Sequence, residues 1–283
     1  AWLVNHSTND TIWRAVSDNT GKAELWANIQ TVKQGHTNYA IVCGGQTHRN
    51  PNVFENGINR ITINKKCAPS NTADIAFVVD ATGSMGDEIK YLQEELQDVI
   101  ANVASRKKGM DLRTGSVFYR DRGDSYVTRV QDFQSDASAL IGFIKNQSAD
   151  GGGDVPEAVE EALHTALNDM HWNKGATAKI LFLILGAPPH DHAGEKMKTL
   201  MVQAAAMGVR IVPVVCSGID KSTEYLMRAL ALATNGSYVF LTDDSGVGDA
   251  HIKPTTDNFK VELLNDLLQR IIAEMIYPAP FNN

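Results

Sequence analysis

Asp80, Thr82 and Ser84 stand at alternate positions directly after an apolar run, in "IAFVVDATGSMGDE" (75–88). One carboxylate and two hydroxyls spaced by two at the mouth of a strand are hard oxygen donors aimed at one place. Mg2+ takes about six such oxygens, of which a protein typically gives one or two carboxylates and leaves the rest to hydroxyls and water. Asp154, in the glycine-rich "ADGGGDVPE" (149–157), offers a second carboxylate. Two carboxylates are needed, because the turn leads into a helix whose N-terminus opposes a cation with roughly half a positive charge. A competing reading makes Ser84 an N-cap and Asp87 the third helical residue, a capping box with no metal. That reading leaves Asp80 unexplained, since a carboxylate ending a buried strand needs a cation or backbone N–H groups as partners.

Other polar clusters carry less. "HDH" (190–192) places two imidazoles at i and i+2 in a loop, where they converge on one ion only with special geometry, and it reads as solvated. "RGDS" (122–125) contains the Arg-Gly-Asp tripeptide that integrins recognise, and reads here as an ordinary polar turn. The glycine loop lacks the Lys-Ser/Thr of a phosphate loop, and Pro156 follows it at a helix start. No Gly-x-Ser-x-Gly elbow and no His-Glu-x-x-His stretch occurs, and Ser84 has no recognisable base beside it in sequence, so the expected class is non-enzymatic.

The elements around these residues alternate. "DIAFVVD" reads as a strand, and the helix after it repeats Ile89, Leu92, Leu96, Val99, Ile100 and Val103 as one stripe. "LRTGSVFYR" and "SYVTRVQDF" flank "DRGD" as a hairpin with an antiparallel edge. "KILFLIL", "RIVPVVC" and "SYVFLT" are further strands, separated by helical stretches and closed by "NFKVELLNDLLQRIIAEMI". The expected fold is α/β: a doubly wound, mostly parallel sheet with helices on both faces over 71–283. Ligands of such sheets bind beyond the carboxyl ends of the strands, where strand order reverses.

Residues 1–70 show short alternating segments, "TIWRAVSD", "AELWANIQTV", "TNYAIVC" and "NRITINKK", between turn-rich stretches. They are expected to form a small antiparallel β-sandwich. Trp2, Trp13 and Trp26 fall here, either as a thin core, the favoured reading, or as a glycan platform. Cys43 and Cys67 are candidates for one disulfide, and Cys216 ends an apolar strand as a buried thiol.

"DIAFVVDATGSMGDEI" followed by alternating helices and strands resembles the von Willebrand factor A domain, whose metal-ion-dependent adhesion site has the pattern Asp-x-Ser/Thr-x-Ser after the first strand. The resemblance spans about 72–277 and looks most like the bacterial and fungal type, through "YRD" (119–121) and "GGGDVPE" (151–157). It implies metal ligation by Asp80, Thr82, Ser84 and Asp154, with Mg2+ the expected ion and Mn2+ or Ca2+ as substitutes. Relatives place an Asp before "APPH"; this chain has Gly186 there, in "LFLILGAPPHD". That Asp usually holds the ion through water, and losing one such group commonly weakens affinity by about 10- to 100-fold. Asp121 and Asp191 are the nearby candidates to compensate. The resemblance implies a metal-dependent binding or adhesion protein, whose ligand is a protein or glycan presenting an acidic group or hydroxyl. The alternative is a scaffold with a degenerate site marked by Gly186.

Composition fits. With 26 Lys plus Arg against 33 Asp plus Glu, a net charge of -7 and no long basic run, nucleic acid is not an expected partner. The longest apolar runs fall far short of the ~20 residues that span a bilayer. Sequons at Asn5, Asn9, Asn146 and Asn235, and a start at Ala1 without Met or a signal-like stretch, lean toward a secreted, processed chain, though a trimmed chain looks the same.

Overall fold

The computed structural model describes residues 1–27, 29, 38–64, 70–105, 109–153, 155–216, 219–241 and 260–277. Its centre is strand β5 (Thr72–Asp80), buried from Ala73 onward. A strand so uniformly apolar has no solvent face and must sit mid-sheet under helices on both sides. β5 pairs in parallel with β6 (Asp111–Tyr119) on one side and with β8 (Ala178–Leu185) on the other. β7 (Thr128–Gln134) adds the antiparallel edge expected of the hairpin, and β9 (Val209–Val215) and β10 (Val239–Phe240) extend the parallel side. The order β10-β9-β8-β5-β6-β7 reverses direction at β5, so the crevice between β5 and β8 is the switch point.

Helices cover both faces. α1 (Gly86–Ser105) buries the expected stripe, and with α2 (Ala137–Lys145) and α6 (Leu264–Ile276) it packs over Ile75, Phe77, Ile180 and Phe182. The Phe77 and Phe182 rings stack at 5.3 Å across β5 and β8. α3 (Val159–Asn168), α4 (Gly194–Met207) and α5 (Lys221–Ala233) cover the opposite face. Asp136 and Asp220 cap α2 and α5 by accepting from the N–H groups of Ser138 and Thr223.

The N-terminal segment is all-β: β1 (Trp2–Asn5), β2 (Thr11–Arg14), β3 (Tyr39–Cys43) and β4 (Gln46–Arg49) form one antiparallel sheet, ordered β2-β1-β3-β4. Its second layer is not another described sheet but the helical face of the larger unit: Leu3, Trp13, Ala15 and Ile41 share a core with residues of α3, α4 and α5. Trp13 is 2 % exposed, which places it in the core, while Trp2 lies half open under the Arg14 guanidinium. β3 and β4 are joined by Gly44 and Gly45, both at positive φ, the geometry of a two-residue hairpin turn. "NRITINKK" is not a strand over its described residues 59–64. Cys67 lies outside the described residues, and with it the Cys43–Cys67 pairing.

The segment after β2 docks by polar contacts. Val16 N–H donates to Ala205 O (3.2 Å), Asn19 Nδ2 to Glu274 O (3.1 Å) and Asn235 Nδ2 to Asp18 Oδ2 (2.8 Å). The buried Arg210 guanidinium donates to Asn19 Oδ1 and to Met275 O. Gly208, the left-handed cap of α4, is required twice, since a Cβ there would stand 2.8 Å from the Val16 Cβ.

Candidate metal centre

Asp80 ends β5 at the switch point with no solvent exposure. Its Oδ1 accepts from Thr82 N–H (3.0 Å) and the Thr82 hydroxyl (2.7 Å), and its Oδ2 faces Gly186 N–H at 3.4 Å. Burial pushes the Asp80 carboxyl up, against the pull of these three donors, and no cationic side chain among the described residues contributes. A buried carboxylate held only by neutral donors at the mouth of a sheet retains lone pairs for a cation. Thr82 is buried and Ser84 exposed, in a short 3-10 turn (Gly83–Met85) that precedes α1. The Ser84 hydroxyl makes no hydrogen bond among the described residues, so the capping box does not form and this oxygen stays available.

The glycine-rich loop is pressed against this turn. Gly83 N–H donates to Gly151 O and Asp150 N–H to Ala81 O, both at 3.1 Å. Gly151 and Gly152 lie at φ of +76° and +68°, and a Cβ on Gly152 would stand 3.1 Å from the Thr82 Cβ. Only glycine permits both the left-handed backbone and this approach. Asp154, in the same loop, lies outside the described residues. Among the described residues no three His, Cys, Asp or Glu side chains are grouped to hold an ion. The donor set that fits a hard cation is therefore Asp80 with the two hydroxyls, not a cage of acids.

Arg120, within "YRD", anchors both loops. It is buried, and its Nε donates to Ala81 O (3.1 Å), one Nη to Ser148 O (2.9 Å) and the other to Ser125 Oγ (3.0 Å). Asp121 does not reach the Asp80 turn by any contact; its Oδ1 lies 3.2 Å from His190 Nε2. His190 Nδ1 faces Glu160 Oε1 at 3.4 Å, so the imidazole lies between two carboxylates, mostly buried, and is not a solvated loop residue. Asp191 is exposed at the start of a 3-10 turn. "RGDS" lies on the surface with its charged groups paired: the half-exposed Arg122 pairs with Glu161 and, at 3.5 Å, with Glu160, while Asp124 Oδ2 accepts from Asp121 N–H and Gly152 N–H.

Sequence reasoning missed Arg120, His190 and Glu160 as parts of the framework. The signals were a basic residue ending the apolar strand "VFYR" and a Glu on the buried stripe of α3. Sequence reasoning also passed over Glu88, which is 4 % exposed on the first turn of α1. The Cys216 thiol is pushed well up by burial, and by Glu88, to which it is hydrogen-bonded, and Asp80.

The chain is similar to an ariadne-like RING finger protein of Acanthamoeba polyphaga mimivirus, 27 % identical over 230 residues covering 74 % of this chain and 22 % of that protein. It is also similar to the alpha-protein kinase vwkA of Dictyostelium discoideum, 22 % identical over 213 residues covering 75 % of this chain and 34 % of that one. The chain thus spans about a third or less of these relatives. A solved structure of proximal thread matrix protein 1 from the mussel byssus, with a zinc-occupied MIDAS motif, aligns at 18 % identity and a TM-score of 0.43, covering 59 % of this chain and 41 % of that one. The von Willebrand factor A domain family matches residues 74–254, from the central strand through the switch point to beyond β10, and the chain belongs to that family.

Proposed function

We propose that this chain is a metal-dependent binding protein: a divalent cation at the β5–β8 switch point is held by Asp80, Thr82, Ser84 and Asp154, and a partner completes its coordination. The observation that carries this reading is the fully buried Asp80 carboxylate, held among the described residues by neutral donors and bonded to the Thr82 hydroxyl at the strand end. Hard oxygens favour Mg2+, with Mn2+ or Ca2+ able to replace it. An anionic or hydroxyl group of a protein or glycan displaces water from the ion, which gives adhesion its metal dependence. On this reading the chain acts by binding and not by catalysis. An extracellular site of action belongs to the same reading, and the exposed sequon asparagines Asn9 and Asn146 are compatible with it. Among the described residues no helix is long and apolar enough to cross a membrane.

A scaffold role with a degenerate site is the second reading, and Gly186 in place of a carboxylate is the observation that favours it. Calorimetric titration of Mg2+, Mn2+ and Ca2+ into the chain and into Asp80→Asn separates the two. An ion at 100 times its Kd stabilises the fold by about 2.7 kcal/mol, and for a unit of this size each kcal/mol raises the melting temperature by about 2–4 °C. A rise of about 5–10 °C with Mg2+, lost in Asp80→Asn, is expected. Absence of both heat and melting shift with all three ions overturns the metal-dependent reading in favour of the scaffold.

A further inference from the structure

We propose that the pocket at the amino ends of β8 and β9 binds a phosphate-sized oxyanion, held by Lys179 and walled on one side by the N-terminal segment. The site lies at the far end of the sheet from the candidate metal centre and does not depend on it. A pocket of about 100 Å3 stands here, lined by Val16 and Asp18 of the N-terminal segment, Lys174 before β8, Lys179 as its second residue, Arg210 on β9 and Asn235 after α5. That volume admits a few waters or one compact ion. It falls short of the roughly 300–1,000 Å3 that enclose a larger organic ligand.

The cations that line this pocket have only neutral partners among the described residues. Lys179 is half-buried, and its Nζ donates to Met207 O (2.9 Å), which uses one of its three N–H groups. Asp74, in register with it on β5, is engaged elsewhere: its Oδ2 accepts from Asn173 N–H (2.6 Å), and its Oδ1 lies 3.6 Å from Arg113 Nε. Arg210 is 6 % exposed and donates to Asn19 Oδ1 and Met275 O. Burial pulls both cations below their usual values, Arg210 to about 10, and the opposing charges of Asp74 and Asp18 do not reverse it. The two carboxylates on the wall are already occupied. Asp18 accepts from the Thr20 N–H and hydroxyl, Lys22 N–H and Asn235 Nδ2, and Glu24 pairs at 2.7 Å with Lys22, which does not line the pocket. A buried charge without an ionic partner is costly. An oxyanion has several acceptor oxygens, and the Lys179 ammonium offers it charge-assisted hydrogen bonds. Because Val16 and Asp18 form part of the wall, an anion there also fastens the N-terminal segment to the strand ends.

The test follows melting and calorimetric titration of the whole chain with inorganic phosphate, and with sulfate, against sodium chloride of equal ionic strength. Chelator is present throughout, so that no metal contributes. At 100 times its Kd, phosphate is expected to raise the melting temperature by about 5–10 °C. Lys179→Met is expected to weaken phosphate binding about 10- to 100-fold, the loss of one hydrogen bond from a charged donor. Without phosphate the same variant melts at or above the parent, because a buried charge lacking an ionic partner has been removed. Lys198→Ala, on α4 and paired with Glu195 away from the pocket, is expected to keep the whole rise. If Lys179→Met does not fold, Lys174→Met at an exposed position reads the site instead, with binding weakened about two- to fivefold; parental binding by that variant then overturns the assignment. The assignment is equally overturned if phosphate and sulfate raise the parental melting temperature no more than chloride does, if Lys179→Met retains the rise, or if Lys198→Ala abolishes it.

Discussion

Arg120→Met removes the anchor of the candidate site without touching a proposed ligand. The guanidinium is 5 % exposed and donates to two backbone carbonyls, Ala81 O at 3.1 Å and Ser148 O at 2.9 Å, and to Ser125 Oγ. Hydrogen bonds from a charged donor contribute roughly 1.5–3 kcal/mol each. Ala81 O keeps a second donor, Asp150 N–H, so its loss is discounted. The Asp150 carboxylate, 3.6 Å from Arg120 but 79 % exposed, adds little. The expected destabilisation is about 3 kcal/mol, read as a fall of about 6–12 °C in melting temperature. Urea unfolding monitored by Trp fluorescence supplies the free energy, and Arg120→Lys, which keeps the charge but not the fork, is expected to fall between parent and Met variant. Because the same carbonyls set the distance between the Asp80 turn and the glycine loop, Mg2+ affinity falls as well. An Arg120→Met midpoint within about 0.5 kcal/mol of the parent, the range of an inconsequential surface change, refutes the anchoring argument.

Two further outcomes are expected. Gly236→Ala is severely destabilising, by more than about 4 kcal/mol, because a Cβ there would stand 1.9 Å from Ile211 O on β9, a backbone atom that cannot rotate away; soluble expression at parental yield with an unchanged melting point contradicts this. Asp18→Asn lowers stability at neutral pH: burial raises the Asp18 carboxyl, but donors from Thr20, Asn235 and Lys22 outweigh it and leave it below its usual value. A depressed carboxylate stabilises above its unfolded value of about 3.9 and loses that contribution as pH falls through the folded one, so the parent–variant gap in melting temperature is constant above about pH 5 and closes below about pH 4. An equal gap at pH 3 and pH 7 contradicts it.

The larger unit was legible because its signals are local. The β5 run is apolar on both faces, the α1 stripe has period 3.6, and Asp80 is the one carboxylate that the strand delivers to its own end; each is read without knowing what packs against it. The four-stranded sheet was legible only as all-β. β4 is "QTHR", exposed at every position, with no alternation to mark it; it is a strand because the Gly44–Gly45 turn folds it back on β3. The sandwich expected for 1–70 required a second layer, and nothing local says that α4 provides it. The same holds for the site. Thr82, a hydroxyl two residues from Asp80, is visible in the sequence, whereas the placement of His190 between Asp121 and Glu160 joins residues from three separated segments. Glu88 was overlooked for a subtler reason. Next to Asp87 at a helix start it looks like an ordinary acidic first turn, favourable to the helix dipole, and only its burial against Cys216 distinguishes it.

The docking of the N-terminal segment and the candidate metal centre lie at opposite ends of the parallel strands. Asp18 and Asn19 reach Arg210, the second residue of β9, and Asn235, just after α5, whereas Asp80 and Cys216 mark the carboxyl ends of β5 and β9. A strand of this length rises about 3.3 Å per residue, so roughly 20 Å of packed sheet separates the two. Groups that far apart with no shared partner add independently to within about 0.5 kcal/mol. Asp18→Asn should therefore leave Mg2+ affinity unchanged while lowering the melting point. Coupling between the two ends would require an element with two discrete arrangements that both ends bias. α6, whose Glu274 and Met275 carbonyls are held from the Asn19 side while its apolar face packs over the strands leading to Asp80, is the element that spans the distance. A Mg2+ affinity that changes more than about threefold on Asp18→Asn would exceed the additive limit and locate that coupling in α6.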